Sequence, residues 1–178
     1  MNPQRLYNLN SLCALILCGV LSGAFVFQYG LGENPCPLCL LQRMGMLGVI
    51  LGLSLNTFFG FDPRHFSFVI LAALVGGGFS TRQVLLHIAP KPGEPLGYGS
   101  PFLGMHLYTW GVLIFFACIV GAASFLFVIR TIPQEQDRSP SSFEKFVFGF
   151  AALLCTVNVI GTVAMCQFGP CCENGPCP

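Results

Sequence analysis

Apolar residues run along this chain in long, nearly unbroken stretches, at residues 9–29, 41–60, 66–88, 110–129 and 146–165. Each stretch approaches the roughly 20 residues a helix needs to cross a hydrocarbon core of about 30 Å. None carries the polar stripe of a soluble amphipathic helix, and a lipid environment requires backbone groups to pair within the segment. The pattern predicts five transmembrane helices. No internal repeat or low-complexity tract interrupts them. Polar punctuation separates them: a short turn at 61–65, a connector at 131–145 rich in Pro, Gln, Asp and Ser, and outer loops at 30–37 and 89–109.

Composition agrees. Only 8% of the 178 residues are charged, against about 25% in an ordinary soluble domain, and 54% are hydrophobic. A water-soluble globule is excluded. Eight Lys+Arg against seven Asp+Glu leave a net charge of +1, with no basic surface to neutralise phosphates, which excludes nucleic acid as a partner. The first segment follows Arg5 but exceeds a signal-peptide core and lacks a small-x-small cleavage pattern, so it is expected to stay as a helix. With the N-terminus inside, Arg5, Arg64, Arg130, Arg138 and Lys145 fall on the cytoplasmic side and Arg43, Arg82 and Lys91 on the other. Arg43 and Arg82 lie within apolar segments, where a cation is costly. This topology sends the loops 30–37 and 89–109 and the tail after residue 165 outward.

The ten cysteines fall into three settings. Cys13, Cys18, Cys118 and Cys155 sit inside apolar helices and read as small hydrophobes. Cys36 and Cys39 form Cys36-Pro37-Leu38-Cys39 at the outer mouth of the second helix. That spacing lets two thiols close a ring across one turn, and a helix N-terminus stabilises a thiolate through its free N–H groups. Half of a zinc site is the rival reading. Arg43 follows Cys39 by four positions and shares its helix face; it either snorkels to the interface or stabilises negative charge on the Cys39 sulfur or a neighbouring electron acceptor. Gln42 adds a possible donor. The tail places Cys166, Cys171, Cys172 and Cys177 among Gly, Pro and Asn. Structural staple, exchangeable pair and soft-metal clamp all remain open, with a bond between adjacent Cys171 and Cys172 disfavoured by geometry.

The run Cys36-Pro37-Leu38-Cys39-Leu40-Leu41-Gln42-Arg43 resembles the bacterial disulfide bond formation protein B (DsbB) family, in which CPLCxxQR opens the second helix. Arg82-Gln83-Val84-Leu85-Leu86-His87 resembles the end of that family's third helix, and the likeness extends over roughly residues 9–130. The resemblance implies an all-α membrane protein, a four-helix bundle of the DsbB type, to which this chain adds a fifth helix, with a transmembrane domain over 1–165 and a cysteine-rich periplasmic tail over 166–178. It further implies an inner-membrane enzyme that reoxidises a periplasmic thioredoxin-like dithiol oxidase (DsbA-like) and passes electrons to a membrane quinone, ubiquinone or menaquinone. Cys36 and Cys39 would be the quinone-coupled pair, Cys39 nearest the quinone, with Arg43 and, less directly, Gln83 and Gln42 holding it. The family carries a second cysteine pair in the outward loop between helices three and four, yet residues 89–109 hold no cysteine. The tail is expected to replace that pair, with Cys171, Cys172 and Cys177 the ones meeting a partner. His87 and His106 are packing histidines or proton carriers, Tyr98, Tyr108 and Trp110 belong to an interfacial aromatic belt, and residues 96–107 are expected to lie along the membrane surface. The competing classes are a membrane protein whose tail binds copper or zinc, a vitamin K epoxide reductase-like thiol and quinone enzyme, and a structural membrane protein with inert disulfides.

Overall fold

The computed structural model describes residues 3–88, 97–129, 139–167, 169, 171–172 and 175–176. Five long helices account for nearly all of them: α1 (Pro3–Phe25), which continues in a π-helical turn over Val26–Gly30, α2 (Pro37–Phe59), α3 (Pro63–His87), α4 (Leu107–Val128) and α5 (Ser142–Cys166). All five are long and apolar enough to cross a membrane. Every one begins several residues before the apolar stretch that announced it. The extra turns hold proline and capping residues, which read as loop by hydropathy but satisfy the free N–H groups of a helix start. Asp62 accepts from the Arg64 amide at 2.7 Å ahead of Pro63. Ser141 and Glu144 close a reciprocal capping box on α5. Cys36 caps α2 with its own sulfur, which accepts from the Cys39 amide at 3.2 Å.

The central helix is α2, which touches all four others. Small residues let it close on α3: a Cβ added to Gly45 would stand 2.6 Å from the Gly76 Cα, and one on Gly52 2.6 Å from a Val69 methyl. The Phe115 ring of α4 packs into the groove that Gly76 leaves open. Without a hydrophobic drive between helices in lipid, such close approach supplies the packing energy. Large apolar side chains including Ile16, Leu71, Phe116, Phe127 and Leu153 point outward and exposed. The protein is an all-α membrane protein.

Helix directions follow from the contacts. Gln4 at the start of α1 donates to Glu144 at the start of α5, at 3.2 Å. At the other end Gly161 of α5 lies against the Tyr29 hydroxyl, where a Cβ would come within 2.6 Å. The helices α1 and α5 therefore run parallel, and α5 delivers Cys166 to the end of the bundle where α2 begins. The opposite end exposes Arg5, Arg64 and Lys145. Its interior holds a polar network: Asn10 donates to the Leu53 carbonyl (2.8 Å) and the Thr57 hydroxyl (3.1 Å), Asn56 donates to Asn10 (3.4 Å), and the His65 ring bonds Asn56 (3.2 Å). Tyr7 stacks on Phe61 beside it. Beyond α5 the chain makes a short antiparallel pairing of Cys171–Cys172 with Gly175–Pro176.

Candidate functional site

The Cys36 and Cys39 sulfurs stand 2.7 Å apart at the mouth of α2, close enough to join with almost no movement of the backbone. One side chain from α3 addresses both. The Gln83 amide nitrogen donates to Cys36 Sγ at 3.3 Å and to Cys39 Sγ at 3.6 Å. Its oxygen accepts from Gln42 Nε2 at 2.6 Å. That oxygen also lies 3.8 Å from Cys39 Sγ, so both ends of the Gln83 amide address the cysteine pair, the nitrogen at shorter range. The two glutamines are 7% and 1% exposed, so this polar pair is built in, at a cost that only mutual hydrogen bonding offsets. The close α2–α3 contact at Gly45 and Gly76 sets their register. The hydrogen bond with Cys39, reinforced by burial, pushes the Cys36 thiol well above its ordinary range. In the reduced pair the retained proton therefore belongs to Cys36.

Arg43 is 8% exposed and does not reach out to the interface. It turns toward α1, donating from Nη1 to Gln28 Oε1 at 2.5 Å and from Nη2 to the Ala24 carbonyl at 3.1 Å, with its guanidinium 4.9 Å from the centre of the Phe25 ring. Gln28 lies in the π-helical turn, which widens the end of α1 and aims this side chain inward. Sequence reading missed Gln28. Its signal was available: a lone amide in the last turn of an apolar segment that must otherwise satisfy lipid. Among the described residues two of the five guanidinium N–H donors are engaged, which orients the group.

Cys39, Gln42, Arg43 and Gln83 line one wall of a cavity of about 600 Å³. Leu21, Phe27, Met46 and Ile114 supply its apolar walls. Cys39 faces this space while Cys36, 6% exposed, packs behind it. The segment 97–106 folds over the mouth. Tyr98 donates to the Asn34 carbonyl at 2.6 Å, the Ser100 amide donates to Glu33 at 3.1 Å, and Trp110 Nε1 donates to the Phe102 carbonyl at 3.0 Å. Tyr98, Tyr108 and Trp110 thus form cavity wall and loop latch; Tyr108 is buried, sandwiched between His87 and His106. These bonds draw residues 97–106 back over the preceding loop, and Phe102 and Leu103 of that segment stay exposed. His87 bonds the Gln83 carbonyl at 2.8 Å and His106 the Gly99 carbonyl at 3.1 Å, both packing roles. Lys91 and Glu94 lie outside the described residues.

In the tail, Cys166 and Cys171 form a disulfide with a Cα–Cα distance of 4.9 Å, a pairing that leaves Cys171 and Cys172 unbonded to each other. Cys172 lies in the short β pairing, and Cys177 lies outside the described residues. Cys13, Cys18, Cys118 and Cys155 are free thiols within the helices.

The sequence model of the family described as disulfide bond formation protein DsbB matches residues 5–95. Disulfide bond formation protein B of Chromobacterium violaceum is 37% identical over 107 residues, covering 57% of this chain and 64% of that protein. The protein of that name from Xanthomonas campestris pv. campestris is 33% identical over 118 residues, 58% of this chain and 67% of its own length. Disulfide bond formation protein B 1 of Pseudomonas fluorescens is 26% identical over 140 residues, covering 61% and 82%. The chain thus spans a little under two thirds of the Chromobacterium relative. No solved structure matches it.

Proposed function

Because the chain belongs to the disulfide bond formation protein DsbB family, we propose that it is an inner-membrane thiol:quinone oxidoreductase. It would reoxidise a periplasmic thioredoxin-like dithiol oxidase (DsbA-like) and pass the electrons through Cys36 and Cys39 to ubiquinone or menaquinone. The carrying observation is the Cys39 sulfur, fixed by Gln83 and open to an apolar cavity that also receives a buried Arg43. A quinone headgroup is a flat apolar ring with two carbonyl acceptors, and these residues fit it: apolar side chains for the faces, the remaining Arg43 donors for a carbonyl. When bound, it supplies a two-electron, two-proton acceptor.

The protein residues divide the work. Cys36, whose thiol keeps its proton, is the exchanging partner, and Cys39 is the sulfur presented to the acceptor. Arg43 places fixed positive charge where negative charge develops, in a site of low dielectric where such preorganisation is strongest. Gln83 holds both sulfurs, and Gln42 orients Gln83. The exposed Arg5, Arg64 and Lys145 at the opposite end support a cytoplasmic N-terminus and a periplasmic site and tail. The alternative of a copper or zinc tail loses two of its four thiolates to the Cys166–Cys171 bond.

Purified protein in detergent, given dithiothreitol and a short-chain ubiquinone, should bleach the quinone absorbance. Cys36→Ser and Cys39→Ser should abolish that reaction. Undiminished bleaching in both variants would refute the assignment.

A further inference from the structure

The exchange sulfur of the proposed site poses a physical problem. Cys36 is 6% exposed, whereas thiol–disulfide exchange needs an attacking thiolate in line with the sulfur it strikes. A folded protein dithiol has no direct approach to it. Among the described residues one disulfide exists elsewhere, Cys166–Cys171, and the helix register brings it to the same level of the bundle. Asn158 of α5 donates to Met44 Sδ of α2 at 3.7 Å, which ties the two helices at one level. They run antiparallel. From 158 to 166 is eight residues up α5, and from 44 back to 36 is eight residues up α2. At about 1.5 Å per residue both climb about 12 Å from the shared level, and packed helix axes lie about 8–10 Å apart. Cys166 and Cys36 therefore stand at one height on touching helices. The disulfide itself is asymmetric, with Cys166 buried at the end of α5 and Cys171 half-buried on the chain beyond it.

We infer that Cys166–Cys171 is the protein-facing exchange disulfide, a relay between a soluble dithiol protein and the buried Cys36–Cys39 pair. The inference rests on the function proposed above and specifies its donor side. The donor's thiolate attacks Cys171 Sγ, breaking the bond to Cys166, which leaves as a thiolate. The donor's second thiol then displaces Cys171, so the donor departs oxidised and Cys166 and Cys171 are reduced. Cys166 next attacks Cys36 Sγ of the Cys36–Cys39 disulfide and Cys39 leaves as a thiolate. Attack of Cys171 on Cys166 restores the tail disulfide and leaves Cys36 reduced. Two electrons and two protons have moved from the donor to Cys36 and Cys39, which yield them to the quinone.

The test uses full-length protein and two donors, dithiothreitol and a reduced thioredoxin-fold protein with an exposed Cys-x-x-Cys dithiol. Dithiothreitol is small enough to reach Cys36 without a relay. In C166S/C171S the ratio of protein-driven to dithiothreitol-driven quinone reduction should fall by about tenfold or more. An unchanged ratio makes the tail bond a staple and overturns the relay. A second variant does not depend on that comparison: C39S/C171S, purified without reductant, should hold a Cys36–Cys166 disulfide, seen as a cross-linked peptide by mass spectrometry after non-reducing digestion. Its absence also overturns the relay. If the unaltered protein reduces no quinone with dithiothreitol, the proposed function fails; that result is distinct from either outcome above.

Discussion

The two ends of the helix bundle both bury amides, yet only one of them reads as a site. At the α1 start, Asn10, Asn56, Thr57 and the Leu53 carbonyl bond one another, and the set runs on through Asn56 to the His65 ring and the Gly60 carbonyl. At the α2 start, Gln42 bonds Gln83 and Arg43 bonds Gln28, but these two pairs open onto two sulfurs and a cavity. Burial of polar groups is therefore a poor mark of function by itself. A network that ends on other structural groups fixes helix register, and one that ends at a reactive atom beside empty apolar space can act on a ligand.

The largest test of this contrast is Cys39→Ser, expected to lower quinone reduction on the order of a thousandfold or more, since one member of a cooperating pair is lost. A residual rate above a tenth of normal would contradict the assignment. Next is Arg43→Ala, expected to cost about 100-fold in kcat/KM for quinone, the scale of removing a preorganised charge donor; Arg43→Lys should recover only part, because an ammonium cannot hold Gln28 and Ala24 in the same fork geometry. Gln28→Leu leaves the cation and removes its orienting acceptor, so quinone KM should rise about tenfold while the thiol exchange rate with dithiothreitol stays near normal. In the reduced protein, iodoacetamide should label Cys36 slowly at pH 7 and faster as pH rises, since its raised pKa keeps the unreactive thiol form over the neutral range. A flat pH profile would refute that. The smallest effect on activity belongs to the other end. Asn10→Ala should reduce stability by about 1–2 kcal/mol, by removing the bonds that Asn10 makes to the Leu53 carbonyl, Thr57 and Asn56, with quinone KM and turnover of the folded protein unchanged.

Much of the molecule was legible in the residues. Hydropathy located five helices, though it began each too late, because Pro37, Pro63 and the Ser141–Glu144 cap look polar or irregular while serving as helix starts. The spacing of Cys36, Cys39 and Arg43 marked one helix face at the correct end. Gln83 was reached only through the family resemblance and Gln28 not at all, since each acts on a residue of another helix. The contacts of the outer loop with Asn34 and Glu33 were not legible either, because an amphipathic run says that one side is apolar, not what covers it.

By itself the sequence determined what local chemistry and solvent dictate: a bundle of lipid-crossing helices, a cysteine pair at a helix mouth, and an arginine one turn deeper. Each follows from interactions within about one helical turn, or between a segment and its solvent. Only the tertiary structure decided that Arg43 is held by Gln28 and Ala24, that Gln83 bridges both sulfurs, and that α5 ends at the level where α2 begins. Those relations depend on helix direction and register, which small residues such as Gly45 and Gly76 set by letting backbones meet. No single helix carries that information, because register is a property of the pair.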